Sequence, residues 1–109
     1  MRFVNLSKTM KRISEVFIFT ADRYPILRKL THDQKLVFAI THSVHHMNKS
    51  LGKISAECET FDHGEKMDKL ALEEATIKMF INVIKLADVL GMSASELSKR
   101  SKVLLKRNN

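Results

Sequence analysis

Apolar side chains recur along this chain at spacings of three and four, in four blocks. Leu6, Met10, Ile13 and Phe17 step by four, three and four, with Val16 and Phe19 widening the stripe. That period predicts a first helix from about residue 6 to about residue 22. Pro25 disfavours helical geometry at Tyr24, so a turn is expected in RYPILRKL. THDQ, from Thr31, is a capping box, in which the threonine hydroxyl and the Gln34 amide satisfy each other's backbone N–H groups. It opens a long helix expected to reach about residue 59. Along it Val37, Ile40, Val44, Met47, Leu51, Ile54 and Cys58 form a heptad-like seam, which calls for a partner helix along its full length. Cys58 closes that seam and reads as a core residue. Gly52 lowers helix propensity by about 1 kcal/mol relative to alanine, and its missing side chain offers a close helix approach.

ETFDHGEKMD is a loop, with Gly64 as its turn residue. A third helix is expected from about residue 69 to about residue 90. Leu72, Thr76, Met79, Val83, Leu86 and Leu90 make one seam, and Ile77, Phe80, Ile81 and Ile84 make a second apolar surface. A helix apolar on two sides is buried on two sides. One side fits a partner within the chain, and the other fits a second subunit. Gly91 stops this helix. SASE, from Ser93, is another capping box, flanked by Met92 and Leu97 as a hydrophobic staple. The last helix is expected from about residue 94 to about residue 106, with its KRNN end frayed. The architecture is therefore all-α, a single domain spanning 1–109 and built as a four-helix bundle with two long central helices, assembled as a homo-oligomer such as a dimer or a dimer of dimers.

Composition narrows the function classes. Three Gly and one Pro leave few interruptions for a turn-rich β fold, and a single cysteine excludes an intramolecular disulfide and a cysteine zinc cluster. A lone cysteine fits a reducing cytoplasm. No apolar run is long enough to span a membrane, and MRFVNLSKTMKR has no apolar core of a signal peptide. The net charge of +7 is unevenly placed. The first thirty residues carry seven Lys/Arg against Glu15 and Asp22, and the middle of the chain is mildly acidic. The last eleven hold Lys99, Arg100, Lys102, Lys106 and Arg107 with no acid. Those five are the candidates for non-specific contact with nucleic acid. No base-reading motif or aromatic platform accompanies them, so nucleic acid is not the favoured partner.

EEATIKMFINVIKLADVLGMSASEL (73–97) and ITHSVHHMNKSL (40–51) resemble the two central helices of the MazG-like all-α NTP pyrophosphatases. The apolar framework and the LADVLG tail carry the resemblance, which runs over roughly residues 6–100. It implies a helical, oligomeric nucleotide-handling fold with Mg²⁺ held by an E-x-x-E pair on the second helix and an E-x-x-D pair on the third. Such pairs put two oxygen ligands for a hard cation on one helix face. Here the first pair falls on Ser43 and His46, and the second on Ala75 and Lys78. A one-residue shift recovers Glu74, with Ile77 as its partner. The Mg²⁺ that the family would supply therefore lacks its ligands, and imidazole is a poor substitute.

His42 and His46, at i and i+4, share a helix face. That spacing holds Zn²⁺ or Ni²⁺ when Glu74 or His63 adds a third donor. It equally suits a polar face of the helix, with His45 pointing elsewhere, or one side of a ligand pocket made by His42, Ser43, His46, Glu74 and Lys78. Lys78 reads either as an exposed helix lysine or as a point charge for a phosphate. Glu73 and Glu74 also suit the start of their helix electrostatically. The expected protein is a cytoplasmic binding or regulatory homo-oligomer of MazG-like ancestry whose metal site is lost and whose ligand is a nucleotide. The alternatives are a nucleotide pyrophosphohydrolase with unusual ligands and a non-specific nucleic-acid-binding protein.

Overall fold

The computed structural model describes residues 5–107, and every regular element among them is helical. They are α1 (Leu6–Val16), a 3₁₀ helix over Pro25–Lys29, α2 (His32–Asp62), α3 (Lys69–Val89) and α4 (Ala94–Arg107). The first four residues, part of the segment read as lacking an apolar leader, and Asn108 and Asn109 of the KRNN end lie outside the described residues.

Local chemistry sets the helix ends. The Thr31 box is complete: the Gln34 N–H donates to Thr31 Oγ1 at 3.2 Å, and the Thr31 N–H donates to Gln34 Oε1 at 2.9 Å. The Ser93 box is complete as well, at 3.1 and 3.3 Å. Asn5 caps α1 and Asp68 caps α3 through the Lys8 and Ala71 amides. Gly64 and Gly91 sit at φ +81° and +76°. That left-handed geometry, open to glycine without penalty, closes a Schellman motif after each long helix. Its bonds run from the Glu65 N–H to the Thr60 carbonyl and from the Met92 N–H to the Ala87 carbonyl.

The first helix is shorter than its apolar period predicts. It stops at Val16, not near residue 22. The run VFIFT combines β-branched and aromatic residues, which lose rotamer freedom in a helix. Phe19 gains more outside it, packing edge-on against Tyr24 and Phe38 with ring centroids 5.7 Å apart. In contrast, α2 continues three residues past its expected end, to Asp62.

The two long helices α2 and α3 pack together, and the expected seam is only partly covered, with Ile40, Met47 and Ile54 half-buried. Ala39, Ser43 and Ser50 are the buried positions of α2, and Ala75 and Asn82 are among those of α3. Small side chains let the two backbones approach. The seam residues Val37, Val44 and Leu51 remain exposed, and so does Cys58, which is not a core residue. Gly52 does not serve a close approach either, since a Cβ there would meet nothing within 4 Å. The main apolar cluster lies on another side of α3, where Met10 and Ile13 of α1 meet Ile84 and Ala87, flanked by Ile81, Met92 and Leu97. Thus α3 is covered on two sides within the chain, by α2 and by α1, while Ile77 and Phe80 from one of its expected apolar surfaces stay exposed. Val83 and Leu90 of the other surface are exposed as well, and Met79 and Leu86 of it are half-buried.

Candidate functional site

Helical spacing builds two walls of a cavity. On α2, His42, His46, Lys49 and Lys53 fall at i, i+4, i+7 and i+11, one line along the helix. On α3, Lys78, Ile81, Asn82 and Lys85 do the same at i, i+3, i+4 and i+7. The residues after α1 supply the third wall, with Phe17, Phe19, Arg23 and Tyr24 crossing the open flank of the two helices. The cavity, open on one side to solvent, has a volume of about 650 Å³, within the size range of small-molecule sites.

Two features define the chemistry. The first is charge. Arg23, Lys49, Lys53, Lys78 and Lys85 line the cavity, and no carboxylate does. The second is a cluster of rings. Phe19, Tyr24, Phe38 and His42 pack mutually with centroids 5.0 to 5.9 Å apart, the range of edge-to-face contacts.

The imidazoles of His42 and His46 meet at the cavity wall, Nε2 to Nε2, at 3.0 Å. A hydrogen bond there requires one ring to donate and the other to accept, so the pair is neutral or singly protonated. The Tyr24 hydroxyl lies 3.4 Å from the same His42 nitrogen. Burial lowers both histidines below the ordinary imidazole value. His46 and Lys85 push His42 down further, and Lys85 and Lys49 push His46 the same way.

Lys85 is buried, 7% exposed. Its Nζ lies 4.9 Å from the ring centroids of both Phe17 and Phe19. Burial lowers its pKa from the ordinary lysine value. Ser43 is wholly buried, and its hydroxyl has no hydrogen-bond partner among the described residues.

Of the residues that the sequence grouped as a pocket, His42, His46 and Lys78 do line one cavity. Ser43 lies inside the helix packing and Glu74 is exposed, and neither lines it. The metal set of His42, His46 and Glu74 therefore does not assemble. His63 is no substitute, being exposed in the loop after α2, 3.8 Å from Glu59. Among the described residues no three His, Cys, Asp or Glu side chains gather at metal-binding distance. The surrounding lysines also oppose a divalent cation at the histidine pair. Ser43 and Ala75, where the resemblance places metal ligands, are almost wholly buried. Lys99, Arg100, Lys102, Lys106 and Arg107 are exposed on α4 and do not line the cavity.

Sequence reasoning missed Lys85 and the third wall. A signal for Lys85 was present, a single cation inside the apolar run INVIKLADVL. Comparisons of the chain with family models, curated proteins and solved structures give no match.

Proposed function

We propose that this chain is a binding protein for a small anionic ligand carrying a planar ring, a nucleotide by chemical class, and that it holds the ligand without a divalent metal. The observation that carries the reading is the charge of the cavity: five cationic side chains and no acid, beside a cluster of rings. Lysines attract phosphate oxygens as point charges, Arg23 can take two at once, and ring faces stack a base. In this reading the protein descends from the MazG-like pyrophosphatases, and lysine charge has replaced the metal. Lys78 stands where the family has a carboxylate ligand, so the ammonium does electrostatically what the cation did.

The same reading makes the protein a cytoplasmic homo-oligomer. Val44 lies two positions from both His42 and His46, about 160° round α2 from each. Val83 lies two positions from both Ile81 and Lys85, with the same consequence on α3. The exposed apolar stripe of Val37, Val44, Leu51 and Val83 therefore faces away from the cavity. A stripe at seven-residue spacing on a helix pair fits a second copy of itself. No helix of the described residues is long and apolar enough to cross a membrane.

Titration calorimetry with nucleoside mono-, di- and triphosphates in EDTA tests the ligand reading. Binding is expected to persist without metal and to weaken steeply with salt. Binding that needs Mg²⁺, or EDTA-sensitive release of pyrophosphate, would refute it in favour of a hydrolase.

A further inference from the structure

We propose that Lys85 is a nucleophilic amine that condenses with the carbonyl group of a small anionic aldehyde or ketone held in this cavity, forming an imine. The proposal rests on the cavity being an anion site, as argued above, and adds a covalent step to it. Lys85 is the one buried lysine among the described residues. No ion pair or hydrogen bond engages its side chain among them. It lies in the cavity wall against Phe17 and Phe19.

Two effects compete at its nitrogen. Each ring face stabilises the ammonium. Loss of water acts the other way on an unpaired ion. Burial prevails, and the pKa is lowered. A desolvated lysine among other cations is the usual setting for an amine that attacks carbonyls near neutral pH.

The remaining residues supply what the step needs. Arg23, Lys49, Lys53 and Lys78 hold the ligand's phosphate or carboxylate. The His42–His46 pair, largely unprotonated at neutral pH, moves protons. The Nζ lone pair attacks the carbonyl carbon and a C–N bond forms. The C=O π pair moves to oxygen, which takes a proton, while nitrogen gives one up to an imidazole. The resulting carbinolamine then expels its hydroxyl, protonated to water, as C=N forms. Amine plus carbonyl compound gives imine plus water, and no oxidant or reductant is consumed.

The test uses pyridoxal 5′-phosphate, an aldehyde that carries a phosphate. The full chain is mixed with a substoichiometric amount, reduced with borohydride and mapped by peptide mass spectrometry. Label is expected to concentrate on Lys85. Pyridoxal, the same aldehyde without phosphate, is expected to label about tenfold less, because the cationic cavity concentrates the anion. Labelling of Lys85 should reach half its maximal rate at a lower pH than an ordinary lysine does. Lys85→Arg keeps the cation and should lose the label. Lys85→Met keeps the apolar stem, removes an unpaired buried charge and should lose it too. If label spreads over exposed lysines and spares Lys85 while nucleotide binding persists, the imine is refuted and the anion site stands. If neither nucleotide nor pyridoxal phosphate is held, both fall.

Discussion

Replacing Ser43 by alanine should make this protein more stable. The side chain is 0% exposed, and its hydroxyl finds no partner among the described residues. A buried hydroxyl without a hydrogen bond costs about 1–3 kcal/mol relative to one left in water. Alanine removes that cost and adds a few tenths of a kcal/mol in helix propensity, to about 0.5 kcal/mol. Against this stands the dispersion lost with one oxygen atom, a few contacts of roughly 0.1–0.2 kcal/mol each. The void left is smaller than a methyl group. The net expectation is a gain of about 1–2 kcal/mol, or about 4–8 °C in Tm for a chain of this length. Urea unfolding followed by circular dichroism measures it, at one fixed protein concentration because self-association would move the midpoint. The midpoint should rise with an unchanged slope. A lower midpoint would refute the reasoning, since it would mean that the hydroxyl is bonded, to a helix carbonyl or to an enclosed water.

Gly52→Ala should add about 1 kcal/mol, because the position is interior to α2 and a Cβ there meets nothing within 4 Å; an unchanged or lower urea midpoint would contradict this. Acid should destabilise the fold through His42 and His46. Both have folded pKa values below the ordinary one, so the unfolded chain binds protons first and stability falls as pH drops below about 6.5. The double variant His42→Gln/His46→Gln should flatten that dependence, as urea midpoints on either side of this pH would show. Val44→Lys with Leu51→Lys should dissociate the oligomer by about a hundredfold or more, since each apolar side chain buried contributes about 1.5–3 kcal/mol. Sedimentation equilibrium reads this directly, and a wild-type chain that stays monomeric at micromolar concentration would remove the proposed interface.

The parts of the fold legible in the sequence are those fixed locally. THDQ and SASE announce two helix starts, and Gly64 and Gly91 two stops, because each acts within a few residues of itself. The end of α1 is not legible from period alone, although VFIFT carries a signal: the apolar period continues through Phe17 while propensity fails there. The face by which α2 meets α3 is not legible for a different reason. Periodicity identifies an apolar stripe, but not what covers it. The most buried positions of the pair are instead the small residues Ala39, Ser43, Ser50 and Ala75, which no hydrophobic pattern marks, while Ile40, Met47 and Ile54 of the stripe are half-buried. The site was half legible. His42, His46 and Lys78 follow from helix spacing, whereas Lys85, Arg23 and Tyr24 join them only once the segment after α1 has crossed the helix pair.

That crossing segment gives the cavity an unusual kinetic character. The Phe17 N–H donates to the Ile13 carbonyl in the last turn of α1, and the Tyr24 N–H donates to the Thr20 carbonyl. Between them the amides of Ile18, Phe19, Thr20, Ala21 and Asp22 have no hydrogen-bond acceptor among the described residues. Amides of this kind exchange with solvent through local opening, at little free-energy cost, while those inside α2 and α3 exchange only through larger openings. One wall of the cavity therefore opens far more readily than the other two. A ligand that needs all three walls binds with its intrinsic affinity reduced by the fraction of time the third is in place. Substitutions at Phe19 or Tyr24 would then change affinity by shifting that fraction, without touching a single cation, and the change would appear in the exchange rates of the free protein.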